Sequence, residues 1–298
     1  MTKPEKVAQP AVTNAILKRH GFHMRKGLGQ NFLTDSKILQ KIVTAADLTP
    51  EDDVIEIGPG IGALTQFLAD SAHQVVALEI DDRLLPILDE TLADYPNAMV
   101  VNEDVLKTDL GALVAEHFDG KHTLKVVANL PYYITTPILL HLLRAQLPLH
   151  SMTVMMQKEV AERLSATPGS KEYGSLSIAV QLVASVATAF TVSRHAFVPA
   201  PNVDSAIVTL TQRTEPLAAL TDPASFDRLV RGAFASRRKT LWNNLVVLFG
   251  KTNKAAIRSA LTTATIDPGT RAERLSIADF ARLDRALRAA DLISQAHA

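Results

Sequence analysis

The sequence contains no cysteine, one tryptophan and few aromatic residues of any kind, 5% in all. The lack of cysteine excludes disulfide bonds, metal sites built on thiolates and cysteine nucleophiles. No run of about 18 uninterrupted apolar residues occurs, so the sequence predicts no membrane span. The first residues, Met1 to Lys6, lack the apolar stretch of a secretion signal. We therefore expect a cytoplasmic protein that is not attached to a membrane.

Net charge is also lacking, because 31 basic side chains balance 31 acidic ones. The charges are unevenly placed along the chain. Residues 1–50 carry 8 basic and 3 acidic side chains, residues 51–150 carry 5 and 16, and residues 216–298 carry 13 and 7. Two basic segments thus flank an acidic middle, which suits a polyanion-binding surface around a separate small-molecule site. Solvated faces of C-terminal helices explain the same basic excess equally well.

The chain has 298 residues, 47% of them hydrophobic, which is long enough for two domains. Beyond about residue 215 every periodic segment is typical of a helix. We therefore predict a flexible N-terminal arm over residues 1–20, a cofactor-binding α/β domain over residues 21–215 and a small all-helical domain over residues 216–298.

Within the predicted α/β domain, short runs of β-branched residues alternate with amphipathic stretches. The predicted strands are Val54–Ile57, Gln74–Leu78, Ala98–Val101, Leu124–Ala128 and Thr153–Met156. Such alternation favours a doubly wound, mostly parallel sheet, because parallel strands need a crossover connection. Two later strand-like segments, Phe190–Ser193 and Ala206–Gln212, are joined by a Pro-rich stretch and predict an antiparallel edge.

Three glycines, Gly58, Gly60 and Gly62, follow the first predicted strand and precede a helix. Glycine at such a turn lets the backbone approach a ligand, although an ordinary strand–helix turn has the same composition. Glu79 ends the second strand and Asp104 follows the third, at the edge where open α/β sheets bind ligands. Carboxylates at this edge suit a sulfonium cation better than a pyrophosphate. The sequence therefore favours S-adenosylmethionine (SAM) over NAD as the cofactor.

The tetrapeptide Asn129–Tyr132 follows the fourth predicted strand and resembles the (Asp/Asn)-Pro-Pro-Tyr signature of methyltransferases that act on amino nitrogens. The Asn129 side-chain oxygen and the Leu130 carbonyl could accept hydrogen bonds from both N–H groups of an adenine amino group. These hydrogen bonds would localise the lone pair of the nitrogen. Pro131 would fix the backbone, and Tyr132 could stack on the base. Neither a metal nor a general base is needed, because the nitrogen loses its proton after becoming cationic. A proline turn after a buried strand is the structural alternative.

Phe197 lies in the stretch Phe-Val-Pro-Ala-Pro-Asn-Val-Asp-Ser-Ala, which ends at Ala206. Enzymes that modify a base in a helix take it out of the stack and hold it between aromatic or apolar side chains. We predict that Phe197 forms the second wall around the target base. A place in the core is the competing interpretation.

Together these residues resemble the KsgA-type family of small-subunit ribosomal RNA adenine N6,N6-dimethyltransferases. The resemblance extends from about Arg25 to Phe280. The matching segments are Gly29–Leu33, Glu56–Gly62, Asn129–Tyr132, Gln157–Arg163, Tyr173–Ser177, Phe197–Ala206, Arg237–Leu241 and Asn243–Leu245.

The resemblance implies a class I SAM-dependent methyltransferase domain, Rossmann-like, followed by a helical RNA-binding domain. It implies dimethylation of two adjacent adenosines in a hairpin near the 3′ end of small-subunit rRNA, during maturation of the subunit. In this family Asn31 and Leu33 would contact the methionine part of SAM, and Gly58 would lie under it. Glu79 would bind the ribose and Asp104 the adenine, while Asn129 would border both cofactor and target.

The expected partner is small-subunit rRNA within a pre-ribosomal 30S-type particle, bound by a monomer without metal. We predict that Arg237, Arg238 and Lys239 contact its phosphates. One alternative is an erythromycin-resistance-type methyltransferase acting on large-subunit rRNA, which the pattern over residues 237–245 disfavours. Another is a non-catalytic ribosome assembly factor. An NAD-dependent oxidoreductase is disfavoured by the glycine spacing.

Overall fold

The structure is a computed structural model that describes residues 6–25, 27 and 29–293. Its strands are β1 (Phe32–Leu33), β2 (Asp52–Ile57), β3 (Gln74–Leu78), β4 (Ala98–Val101), β5 (Thr123–Asn129), β6 (Leu149–Gln157), β7 (Ala184–Val192), β8 (Phe197–Val198) and β9 (Ser205–Gln212). Its α-helices are α1 (Pro10–Arg19), α2 (Ser36–Ala45), α3 (Ala63–Ala69), α4 (Leu85–Thr91), α5 (Leu110–His117), α6 (Thr135–Arg144), α7 (Lys158–Ser165), α8 (Ser175–Gln181), α9 (Pro223–Ala233), α10 (Leu241–Phe249), α11 (Lys254–Thr263) and α12 (Ile277–Ala289). None of the described helices is long and apolar enough to cross a membrane.

Seven strands of the described chain form one sheet in the order β4-β3-β2-β5-β6-β9-β7. The pairs β2–β3, β3–β4, β2–β5 and β5–β6 are parallel, whereas β9 pairs antiparallel with β6. The predicted, mostly parallel sheet with an antiparallel edge is confirmed. The strand order reverses between β2 and β5, and ligands of open α/β sheets bind at such a point.

The central strand β2 shows why these segments form a parallel sheet. All six of its residues are buried, which is typical of a strand covered by helices on both faces. Its first residue, Asp52, is also buried, and its carboxylate accepts hydrogen bonds from Lys125 (3.1 Å) and the Thr49 main chain (2.7 Å). The buried charge at the start of β2 is therefore paired on neighbouring segments.

The N-terminal residues do not form the predicted flexible arm. Helix α1 buries Ile16 and Leu17, and the Lys6 ammonium group donates to the Asp70 carboxylate (2.8 Å) and the Gln66 carbonyl (3.0 Å). The prediction for residues 1–20 is wrong over residues 6–19, and residues 1–5 lie outside the described residues. Packing on the α/β domain stabilises this segment although its own periodicity is weak.

The described chain divides into two compact units. The first ends at Ala161 and resumes over Val186–Gln212, and it contains most of the sheet. The second consists of Glu162–Ser185 and the chain from Arg213 onward. The predicted boundary after residue 215 is close to Gln212, after which the chain enters the second unit for the last time. The prediction, however, placed Glu162–Ser185 in the α/β domain.

The segment Glu162–Ser185 belongs to the second unit because its apolar side chains lie in that unit's core. Tyr173 and Ile178 are buried in one cluster with residues of α9 and α12, among them Phe226 and Phe280. These contacts join residues more than 40 positions apart. Sequence periodicity does not report contacts over such separations.

Candidate active site

A pocket of about 1170 Å³, including open solvent at its mouth, lies in the first unit at the carboxyl ends of β2, β3 and β5. Every residue predicted to bind the cofactor or to act in catalysis lines it. These residues are Asn31, Leu33, Gly58, Glu79, Asp104, Asn129, Leu130, Pro131 and Tyr132. Phe197 lines the same pocket. The fold therefore brings together residues from six separate segments of the sequence.

The glycines after β2 serve two different purposes. Gly58 has a φ of +70°, and a side chain there would meet no atom within 4 Å, so the space next to its backbone is open. Gly62 has a φ of +83°, and a Cβ atom there would lie 2.9 Å from the Thr91 hydroxyl oxygen. Gly58 thus leaves room for a ligand, whereas Gly62 allows α3 to pack closely against its neighbour.

Glu79 is held in a fixed orientation at the end of β3. One carboxylate oxygen accepts the Asp81 amide hydrogen (2.8 Å) and the other accepts that of Gly60 (3.3 Å). Burial raises the pKa of Glu79, and these amide hydrogen bonds oppose the rise. The carboxylate is therefore held in position by the chain itself.

Glu56 is a pocket residue to which sequence reasoning assigned no role. Its side chain lies at the floor of the pocket and is only 1% exposed. Its Oε2 atom has no hydrogen-bond partner among the described residues. Burial raises the pKa of Glu56 to about 8, and the nearby Glu79 carboxylate adds to the rise. The position of Glu56 two residues before Gly58 was visible in the sequence, but its burial depends on the tertiary fold.

The pocket lining is acidic. Glu56, Glu79, Glu103 and Asp104 line it, and the described lining residues include no lysine, arginine or histidine. Such a lining attracts cations and disfavours phosphate groups. No group of three or more metal-binding side chains occurs among the residues that the structure describes.

Asn129 is the last residue of β5, and its side chain borders the pocket. Within the described chain, neither this side chain nor the Leu130 carbonyl takes part in a hydrogen bond. The next turn is fixed from both sides: the Leu130 amide donates to the Met155 carbonyl (3.3 Å) and the Thr135 hydroxyl donates to the Pro131 carbonyl (3.0 Å). Two acceptors are thus available on a rigid turn.

Two aromatic residues lie beside these acceptors. The Tyr132 hydroxyl shares a hydrogen bond of 2.7 Å with the Ser205 hydroxyl, and burial raises the pKa of Tyr132. Phe197 is buried in β8, where its backbone pairs with Leu33 of β1. Phe197 therefore both packs in the core and lines the pocket, so its two sequence interpretations are compatible.

The loop before β1 is tied to the rim of the pocket. The Gln30 side chain donates to the Asp81 carboxylate (2.7 Å), which also accepts from the Arg83 guanidinium. The side-chain amide of Asn31 donates a hydrogen bond to the Gly29 main-chain carbonyl (3.0 Å). Sequence reasoning selected Asn31 but not Gln30 or Asp81, because their contact crosses 51 positions.

The predicted phosphate-binding residues lie in the second unit. Arg237 donates to the main-chain carbonyls of Lys171 and Tyr173, the latter at 2.8 Å. Arg238 and Lys239 are exposed. Arg237 thus has a structural role in its own unit, and its contact with phosphate remains a prediction, as do those of Arg238 and Lys239.

Known proteins are similar to this chain in sequence and fold. The ribosomal RNA small subunit methyltransferase A of Latilactobacillus sakei is 60% identical over 285 residues, which are 95% of this chain and 96% of that protein. The Lactiplantibacillus plantarum protein of the same name is 56% identical over 98% of this chain and 100% of its own length. Among solved structures, a Plasmodium falciparum dimethyladenosine transferase matches with a TM-score of 0.70 and 28% identity, covering 87% of this chain and 98% of its own.

A solved 23S rRNA methyltransferase, ErmE, matches with a TM-score of 0.64 and 30% identity over 86% of this chain and 99% of its own. The Latilactobacillus sakei and Lactiplantibacillus plantarum relatives, both above 50% identity, carry the small-subunit name. The family model of ribosomal RNA adenine dimethylases matches residues 21–288. Sequence, fold and pocket agree, and the chain belongs to the ribosomal RNA adenine dimethylase family.

Proposed function

We propose that this protein dimethylates the N6 amino groups of two adjacent adenosines in a hairpin near the 3′ end of small-subunit rRNA, with SAM as methyl donor. The observation that carries the proposal is the pair of unoccupied acceptors, the Asn129 side chain and the Leu130 carbonyl, beside the acidic pocket. The small-subunit names of relatives at 56–60% identity favour this RNA over the large-subunit alternative.

The residues of the pocket fit SAM. The open space next to Gly58 accepts a ligand against the backbone, and Glu79 presents a fixed carboxylate to a ribose. The acidic lining suits a molecule with sulfonium and ammonium groups, and the unpartnered oxygen of Glu56 is available for a hydrogen bond with the ligand. In this assignment Asn31 and Leu33 hold the methionine part and Asp104 the adenine. Bound SAM supplies an activated methyl group on a positively charged sulfur.

The chain's own residues prepare the adenine nitrogen. The Asn129 side-chain oxygen and the Leu130 carbonyl accept hydrogen bonds from its two N–H groups. This localises the nitrogen lone pair that attacks the methyl carbon. Tyr132, anchored by Ser205, stacks on the everted base, and Phe197 closes the other side. After transfer the nitrogen is cationic, and it releases its proton to water. The same residues can then orient the monomethylated nitrogen for a second transfer.

The RNA is recognised as part of a pre-ribosomal 30S-type particle, mainly through its shape and phosphates. Arg238 and Lys239, exposed on the second unit, supply positive charge for this contact. We expect the protein to act as a monomer in the cytoplasm, where ribosomal subunits assemble.

The test offers unmethylated small-subunit particles and naked large-subunit rRNA side by side, with labelled SAM. Mass spectrometry of the rRNA then locates the label. We expect dimethyladenosine only at two adjacent positions near the 3′ end of the small-subunit rRNA. Label confined to large-subunit rRNA would reject the proposed substrate, and tight SAM binding without any transfer would favour a non-catalytic assembly factor.

A further inference from the structure

The rim of the pocket carries an exposed aromatic ring that takes no part in the proposed methyl transfer. Tyr133 lines the pocket and is 58% exposed. Its neighbour Tyr132 is half-buried and anchored to Ser205. Two successive aromatic residues therefore lie in different surroundings, one inside the pocket and one at its mouth.

The backbone around Tyr133 is rigid. The Ile134 amide donates to the Pro131 carbonyl (3.2 Å), and the Thr135 hydroxyl donates to the same oxygen (3.0 Å). Helix α6 begins at Thr135, so the turn is held directly against the start of a helix. The ring is thus attached to a backbone that has little freedom to move.

One part of the ring is packed and the rest is open. A Cβ atom placed on Gly29 would lie 3.3 Å from Cδ1 and 3.4 Å from Cε1 of Tyr133, so the ring rests against the Gly29 backbone. The Tyr133 hydroxyl forms no hydrogen bond with a described residue. The fold therefore restrains the ring without covering it, which gives a preorganised flat surface at a low cost in entropy.

In the proposed substrate, the base next to the everted adenosine could stack on such a surface. When one adenosine is everted into the pocket, the adjacent base loses its stacking partner. Aromatic side chains stack on unpaired bases in many RNA-binding proteins and replace the lost contact. We propose that Tyr133 is a positioning residue that stacks on the base next to the everted adenosine. This inference rests on the proposed function and deepens it.

The experiment measures steady-state methyl transfer to small-subunit particles at saturating SAM. Tyr133→Ala should raise the KM for particles by about 5- to 150-fold, the range of one stacked base, while kcat stays unchanged. Tyr133→Phe keeps the ring and should stay within about twofold of the wild-type protein. Met99→Ala is the control, because Met99 is 44% exposed outside the pocket.

Two further measurements separate stacking from a structural role. The affinity for SAM and the thermal midpoint should not change in Tyr133→Ala. Particles reconstituted with an abasic site beside the target adenosine should be equally good substrates for wild type and Tyr133→Ala. If Tyr133→Ala raises the KM for the abasic particles by the same factor, or does not raise it for normal particles, the inference is wrong. If the wild-type protein methylates no small-subunit rRNA, the proposed function fails first and this inference fails with it.

Discussion

Glu56 gives a direct prediction about stability and pH. In the folded protein burial raises the pKa of Glu56 from 4.5 to about 8. Between these values the folded protein holds a proton that the unfolded chain releases. The free energy of unfolding should therefore fall as the pH rises, by up to ~1.4 kcal/mol per unit. Over the whole interval the loss amounts to roughly 5 kcal/mol.

The variant Glu56→Gln keeps the shape of the side chain but cannot ionise. We would measure chemical denaturation of both proteins at pH 5, 6, 7 and 8, without cofactor. All other titrating groups are common to both proteins, so their contribution cancels in the difference. Relative to the wild type, Glu56→Gln should become more stable with each step in pH, by several kcal/mol between pH 5 and pH 8.

Glu103→Gln is the matched control, since Glu103 lines the same pocket but is exposed. The unfolding free energy of Glu103→Gln should change with pH in the same way as that of the wild type. If the unfolding free energy of Glu56→Gln also changes with pH as that of the wild type does, the reasoning is refuted. That result would mean that Glu56 is ionised at pH 7 despite its burial.

The remaining predictions concern single sites. Asn129→Ala should abolish methyl transfer from labelled SAM while particle binding in a filter assay is retained. Glu79→Ala should weaken SAM binding about 10- to 100-fold by calorimetry, and an unchanged affinity would contradict its role. Replacing Arg238 and Lys239 by alanine should reduce the salt dependence of RNA affinity by about 1–2 units of log–log slope. Asn244→Ala removes a buried amide that donates to two main-chain carbonyls, and should lower the unfolding free energy by about 1–3 kcal/mol in denaturant titrations.

The sheet and the pocket were largely predictable from the sequence. The strands Gln74–Leu78 and Ala98–Val101 coincide with the predicted ones, because short runs rich in valine between clear breaks are typical of strands. The fold rule that places ligands at the carboxyl ends of such strands then located Glu79 and Asn129. Local pattern and topology were sufficient for this part.

Features that depend on long-range packing could not be predicted. The N-terminal segment has only weak periodicity, and the hydrogen-bond partners of Lys6, Gln66 and Tyr95, lie 60 and 89 positions away. Helices α7 and α8 were not predicted, and Glu162–Ser185, which contains α8 and the second half of α7, was placed in the α/β domain for the same reason. The protonation of Glu56 and the exposure of Tyr133 also depend on what the folded chain places around them.

The path of the chain between the two units affects how the protein can be divided. The chain passes from one unit to the other after Ala161, after Ser185 and after Gln212. A fragment that stops near residue 215 would keep Tyr173 and Ile178 but lose the helices that bury them. A fragment that starts there would have a gap in its core. Exchanging the helical unit between relatives therefore requires three junctions. During synthesis, residues 162–185 cannot complete their packing until the last part of the chain has been made.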